Sequence, residues 1–224
     1  MLMNVTQIAS AVLNNVMDAL KGAVSNVAMS IEQLEDEVIA ERNNIIKEYF
    51  LKGVVGLQEL YNSVNCIEVD CDYMSKCCDL PVGKKAIHFE IPPIMLINGV
   101  STVNYIGSID KQTQYTVYTD NSYKFHKFGK RGGSKPYVYL DPTINKNGNI
   151  DGYIFNVPFT KYISVTALFL DPRQLSDFDC CADVDFLTEC GILTNEIIHR
   201  LSQKKILYYR QLMLPAQPNT QTAL

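Results

Sequence analysis

This sequence predicts a mixed α+β fold: an N-terminal helical hairpin, a central antiparallel β sandwich or barrel-like domain, and a C-terminal helix with an extended tail. Three observations predict it. Apolar residues recur at helical spacing near both ends of the chain. Between them the runs Val103–Asp110 and Lys161–Pro172 are rich in β-branched and aromatic residues and end in turn formers, which is the chemistry of strands. Further short strands, punctuated by turn signals, surround these two and point to an antiparallel sheet, sandwich or small barrel. The expected division is residues 1–65 for the N-terminal helices, 66–178 for the β domain and 179–224 for the C-terminal helix and tail.

The helical ends come first. Val5, Ile8, Val12, Val16, Leu20 and Val24 form one stripe, with Asn4 or Thr6 available as a cap, so residues 5 to 24 make an amphipathic helix. Ser30 followed by Gln33 fits a capping box opening a second helix, and Glu32, Glu35, Asp36 and Glu37 suit the positive end of its dipole. That helix is expected to run to about Val64 with a weak point at Gly53-Val54-Val55-Gly56, where each glycine costs about 1 kcal/mol against alanine. At the other end Leu193, Ile197, Ile198, Leu201 and Ile206 mark a helix with Thr194 as its cap and Lys204, Lys205 and Arg210 in its later turns. Pro215 stops it, and the tail from Pro215 to Leu224 has no side-chain charge and too little apolar area to build a core.

In the β region, the four cysteines of residues 66 to 85 lead into Leu80-Pro81-Val82-Gly83, which breaks regular structure. Ala86–Ile91 reads as a strand. Pro92-Pro93 bars regular pairing, so Ile94–Ile97 is an edge segment at most, and Asn98-Gly99 is a hairpin dipeptide joining this segment to the Val103 strand. Tyr115, Val117 and Tyr118 suggest another strand, as does Tyr137-Val138-Tyr139-Leu140. Asn145 to Gly152 is turn chemistry, and Tyr153-Ile154-Phe155 begins the strand leading to Tyr162.

Lys and Arg total 20 against 24 Asp and Glu, a net charge of −4, which is not the balance of a protein that grips nucleic acid by bulk electrostatics. The start of the chain lacks a basic segment followed by an apolar one, and no later window reaches membrane-spanning length without polar residues. A soluble protein made in a cytoplasm is expected, with no membrane partner. The seven cysteines (Cys66, Cys71, Cys77, Cys78, Cys180, Cys181, Cys190) are an odd set without a secretion signal and read as reduced thiols.

A zinc site drawn from these cysteines and His88 has the wrong spacing, since no C-x-x-C knuckle occurs, and no metal or other cofactor is expected. Catalytic residues are not expected either: no nucleophile elbow or local cysteine signature is present, and His88, His126 and His199 lie on separate elements. Gly129 to Ser134 lacks phosphate-loop spacing. Two stretches stand out as contact sites. The loop from Lys124 to Lys135, with Lys124, Lys127, Lys130 and Arg131, is basic, aromatic and glycine-rich; lysines with Tyr123, Phe125 or Phe128 are chemistry for phosphate and base stacking, and with a net negative chain the favoured reading is a loop at a protein interface or a lumen wall, its aromatics as anchors. Leu212, Met213 and Leu214, after a cationic helix, suit partner docking.

The β region also resembles a known family. Cys78-Asp79-Leu80-Pro81-Val82-Gly83-Lys84-Lys85-Ala86, Ile91-Pro92-Pro93, Asn104-Tyr105-Ile106-Gly107-Ser108-Ile109-Asp110, Lys135-Pro136-Tyr137-Val138-Tyr139, Lys161-Tyr162-Ile163-Ser164-Val165 and Phe169-Leu170-Asp171-Pro172 resemble structural proteins of crAss-like tailed bacteriophages, over about residues 60 to 215. The resemblance implies a virion protein, made in the bacterial host cytoplasm, that acts as a head-to-tail connector in the neck. Its helices would face the portal protein, its β domain would form the wall of a homo-oligomeric ring, dodecameric by the resemblance, beside other neck and tail ring proteins, and DNA would pass through the lumen with non-specific contact at most. Closed cyclic assembly through one heterologous interface would cover the amphipathic surfaces at both ends of the chain. Two other classes of function stay open: a nucleic-acid-binding or regulatory module using loop 124–135, signalled by salt-dependent DNA affinity, and a small zinc-dependent enzyme, signalled by stoichiometric zinc.

Overall fold

A computed structural model describes residues 3–20, 29–53, 60–70, 86–119, 135–157, 160–178 and 191–213. The fold is mixed α+β, with N-terminal helices, central sheets and a C-terminal helix. It divides into two compact units. One joins Met1–Ile46 to Thr188–Leu224, and the other is Lys47–Leu187.

The helical unit holds α1 (Val5–Leu20), most of α2 (Ile31–Leu51) and α3 (Gly191–Met213). Asn4 is the cap of α1: its Oδ1 accepts from Gln7 N at 2.8 Å, while Gln7 Oε1 accepts from Asn4 N at 3.1 Å, so two orphan donors are satisfied reciprocally. Of the expected stripe Val5, Ile8, Val12, Val16 and Leu20 are buried and Val24 lies outside the described residues; α1 packs on α3. Ser30 Oγ caps α2 by accepting from Gln33 N at 3.1 Å.

The second helix is shorter than its sequence suggests. It ends at Leu51, Gly53 adopts φ +64°, and Asn62–Glu68 is strand β1, so the helix expected to reach Val64 is corrected. Val64 and Ile67, both buried, stand three residues apart as on a helix. The cause is a bulge at Asn65 and Cys66, where Cys66 takes φ +61° and an extra residue breaks the alternation. At the other end α3 begins at Gly191, so Thr194 lies buried in its first turn and is not its cap.

The β unit contains two sheets and a hairpin among the described residues. β1, β5 (Val103–Gly107) and β9 (Tyr162–Ala167) form one sheet in the order β1-β9-β5, so the two strongest strand signals of the sequence are direct partners. β2 (Ile87–Ile91), β6 (Thr116–Tyr118), β7 (Tyr137–Ile144) and β8 (Ile150–Phe155) form the other in the order β2-β8-β7-β6. All pairings are antiparallel except β6 with β7, which is parallel. Isolated bridges tie the edges, Asp70 with His88 on one side and Gly107 with Gln114 on the other. The unit is thus a sandwich laced at both edges.

Inward residues of both sheets make one core, including Val64, Phe89, Ile106, Leu140, Ile154 and Val165. Burial of such side chains is worth about 1.5–3 kcal/mol each, which is what holds the two sheets face to face. After β2, Pro92 and Pro93 carry the chain toward the end of β9, where Met95 N donates to Leu168 O at 2.7 Å. The hairpin β3 (Leu96–Ile97) to β4 (Val100–Ser101) then turns at Asn98 and Gly99, with φ +52° and +76°, the left-handed pair that a type I′ turn demands, so the turn forms but its second arm is β4, and the Val103 strand pairs with β9 instead. The β region closes where Asp171 Oδ1 accepts from Arg173 N at 2.9 Å and caps the 3-10 turn Pro172–Asp177.

Candidate functional site

The helix α3 is buried in its first half and exposed in its second. Leu193, Ile197 and Leu201 are in the core of the helical unit, and among the described side chains of α3 Ser202 is the last buried one; beyond it Leu207, Tyr208 and Leu212 are 60%, 55% and 64% exposed. Tyr208 and Leu212, four residues apart, share a face, with Leu207 beside it. Tyr208 packs edge-on against Tyr209 with ring centroids 5.3 Å apart.

Charge fixes which way α3 faces. Lys205 Nζ donates to Glu37 Oε1 at 2.6 Å, Lys204 Nζ donates to the buried Glu41 carboxylate, and Arg200 lies 3.8 Å from the same carboxylate while binding Glu196 at 2.6 Å. The basic edge of α3 is thereby held on the acidic edge of α2. Lys204 and Lys205 read in the sequence only as partners of the helix dipole, and they also carry this contact.

Of the residues singled out for docking, Leu212 lies on this exposed end, Met213 is the last residue of α3, and Leu214 falls outside the described residues. The loop residues Lys124, Lys127, Lys130 and Arg131 also fall outside them, as do the tail and all the cysteines except Cys66. Cys66 is a half-buried free thiol in the β1 bulge.

A second constellation lies on the outward face of the four-stranded sheet. His88 and Glu90 alternate along β2, and the register sets Glu90 directly opposite Asp151 of β8 and His88 opposite Tyr153. His88 Nε2 lies 3.1 Å from Asp151 Oδ1, and the His88 ring tilts against that of Tyr153 at 5.3 Å. The turn between β7 and β8 supplies amides. Asn149 Nδ2 donates to Glu90 Oε2 at 2.9 Å and Asn145 Nδ2 to Asp151 Oδ1 at 3.0 Å, with Asn147 Nδ2 at 3.4 Å from both Glu90 oxygens. The Asn149 amide, more than any other contact, holds the Glu90 carboxyl below the ordinary glutamate range. His88 thus meets two carboxylates that the sequence reading did not group with it.

An apolar groove on the β unit, about 280 Å³, is lined by Ile94, Leu96, Leu140, Ile144 and Ile150 among others. No protein-family model and no curated protein matches the chain. Among the described residues no helix is long and apolar enough to cross a membrane.

Proposed function

We propose that this chain is a structural virion protein that forms a ring in the head-to-tail neck of a tailed bacteriophage, between portal and tail, with DNA passing through the lumen. The observation that carries the reading is the end of α3, which presents Leu207, Tyr208 and Leu212 to solvent on a helix whose other edge is pinned by ion pairs. Large apolar side chains grouped on a rigid helix are the anchors of a protein interface, and an aromatic among them is typical of the residues that dominate binding energy. The β-region motifs from Cys78 to Pro172, which resemble crAss-like phage structural proteins, supply the kind of assembly. A sandwich whose sheets are bridged at Asp70–His88 and Gly107–Gln114 suits a ring-wall block, with the rest of its open strand edges available to neighbouring subunits.

Mixing the full chain with purified portal and weighing the complex by native mass spectrometry tests this. Many copies on one portal ring are expected, twelve if the resemblance holds in full. A single bound copy, or none, overturns it.

A further inference from the structure

The outward face of β2 and β8 carries a feature that a ring wall does not require. Glu90 and Asp151 are direct partners across two antiparallel strands, and like charges so placed destabilise a sheet unless something offsets them. Three asparagine amides and His88 offset them in part, on a half-buried surface where the side chains of His88 and Asp151 are only 18% and 25% exposed.

We propose that His88, Glu90 and Asp151 bind a divalent first-row transition cation. One ligand atom from each of the three lies within 4.8 Å of the others. Donors about 2.0–2.2 Å from an ion, at adjacent coordination positions, stand about 3 Å from each other. The 3.1 Å between His88 Nε2 and Asp151 Oδ1 is such a separation, so the ion replaces the hydrogen bond that joins them. The donor set selects the class. An imidazole nitrogen with two carboxylates suits zinc, cobalt or manganese, whereas calcium and magnesium prefer oxygen throughout.

The support of the ligands is also built. Asn145 Oδ1 accepts from the backbone of Asn147 at 2.9 Å and of Asn149 at 3.0 Å, which fixes the turn and aims the Asn145 amide at Asp151. Asn149 does the same for Glu90. Hydrogen bonds that orient ligating carboxylates in this way are the outer shell that metal sites need, and losing one costs about 10–100-fold in affinity.

The test uses the full chain, stripped with chelator and titrated with cobalt chloride under visible absorption. Cobalt separates this site from the cysteines, because thiolate ligation adds sulfur-to-metal charge-transfer absorption that a nitrogen and oxygen site lacks. One equivalent bound without that absorption is expected, weakened at least about tenfold in His88→Gln and in Asp151→Asn and about tenfold in Asn149→Ala. No uptake, uptake with thiolate absorption, or unchanged uptake in the ligand variants overturns the assignment, as does calcium binding as tightly as cobalt. Should the variants fail to fold, nitrogen–proton correlation spectra of the unaltered chain with zinc decide: the His88 ring resonances must shift before those of His126 and His199, and unmoved His88 resonances overturn the site.

Discussion

The ring of Phe89 lies over Gly152, its direct partner across β2 and β8, so closely that a Cβ at position 152 would fall within the ring's van der Waals envelope. Glycine is required here by space, since the sheet can receive a large aromatic at 89 only if the opposite strand has no side chain. Gly152→Ala should therefore destabilise the protein by about 1–3 kcal/mol through overpacking. Chemical denaturation measures this, and Phe89→Leu in the same chain should recover part of the loss. A Gly152→Ala protein as stable as the parent would show that the ring can move aside.

In the helical unit, the Glu41 side chain is 5% exposed while Lys204, which binds it, is 62% exposed. The two partners are therefore unequal. Glu41→Ala removes the acceptor that Lys204 and Arg200 share and should cost about 1.5–3 kcal/mol, as for a hydrogen bond to a charged group. Lys204→Ala leaves Glu41 beside Arg200 and should cost about 1 kcal/mol or less, because a solvated lysine contributes little. Denaturation curves giving the reverse order would mean that Arg200 alone does not compensate the buried Glu41 carboxylate, and two changes without cost would mean that α3 is held by its apolar contacts alone.

The loop after β5 gives a pH dependence. The Ser108 hydroxyl, then the Gln112 N–H, hold the Asp110 carboxyl below its ordinary value. A carboxyl depressed on folding contributes stability that is present above its unfolded value, about 3.9, and is lost as pH falls through the lower folded value. Acid titration of the Asp110 carboxyl by NMR should show a midpoint below that of an unstructured aspartate. In Ser108→Ala the midpoint should rise, and a midpoint that stays put would assign the shift to something other than the hydroxyl.

Local rules made much of this fold readable. Asn4 as cap of α1, Ser30 as cap of α2 and the turn at Asn98 and Gly99 are short-range devices whose chemistry lies within four residues, and these caps and this turn are formed. β1 was hidden because its bulge puts Val64 and Ile67 at helical spacing. The parallel pairing of β6 with β7 was hidden because parallel neighbours leave no turn signal between them. His88 and Asp151 are 63 residues apart, and only strand register brings them together. The alternating Asn145, Asn147 and Asn149 before Asp151 were the one local sign that this turn held something more than a reversal. Of the exposed apolar residues at the end of α3 only Leu212 stood out in the sequence; Leu207 and Tyr208 did not, because their exposure depends on which edge the ion pairs with α2 take.

That exposure makes the last prediction. Leu207 and Leu212 are 60% and 64% exposed, so replacing both by glutamate removes no core contact and should change stability by no more than about 0.5 kcal/mol per site. The same change places two charges on the proposed anchor surface, where a desolvated carboxylate costs several kcal/mol. The double variant should melt with the parent and fail to dock on portal. Truncation after Gln211, which removes Leu212, Met213 and everything beyond, should behave alike, since no described side chain of α3 after Ser202 is buried. Melting and portal binding measured on the same samples separate the outcomes. A variant that binds with unchanged affinity removes α3 from the docking mechanism, and one that unfolds shows that its exposed end is covered by the chain itself.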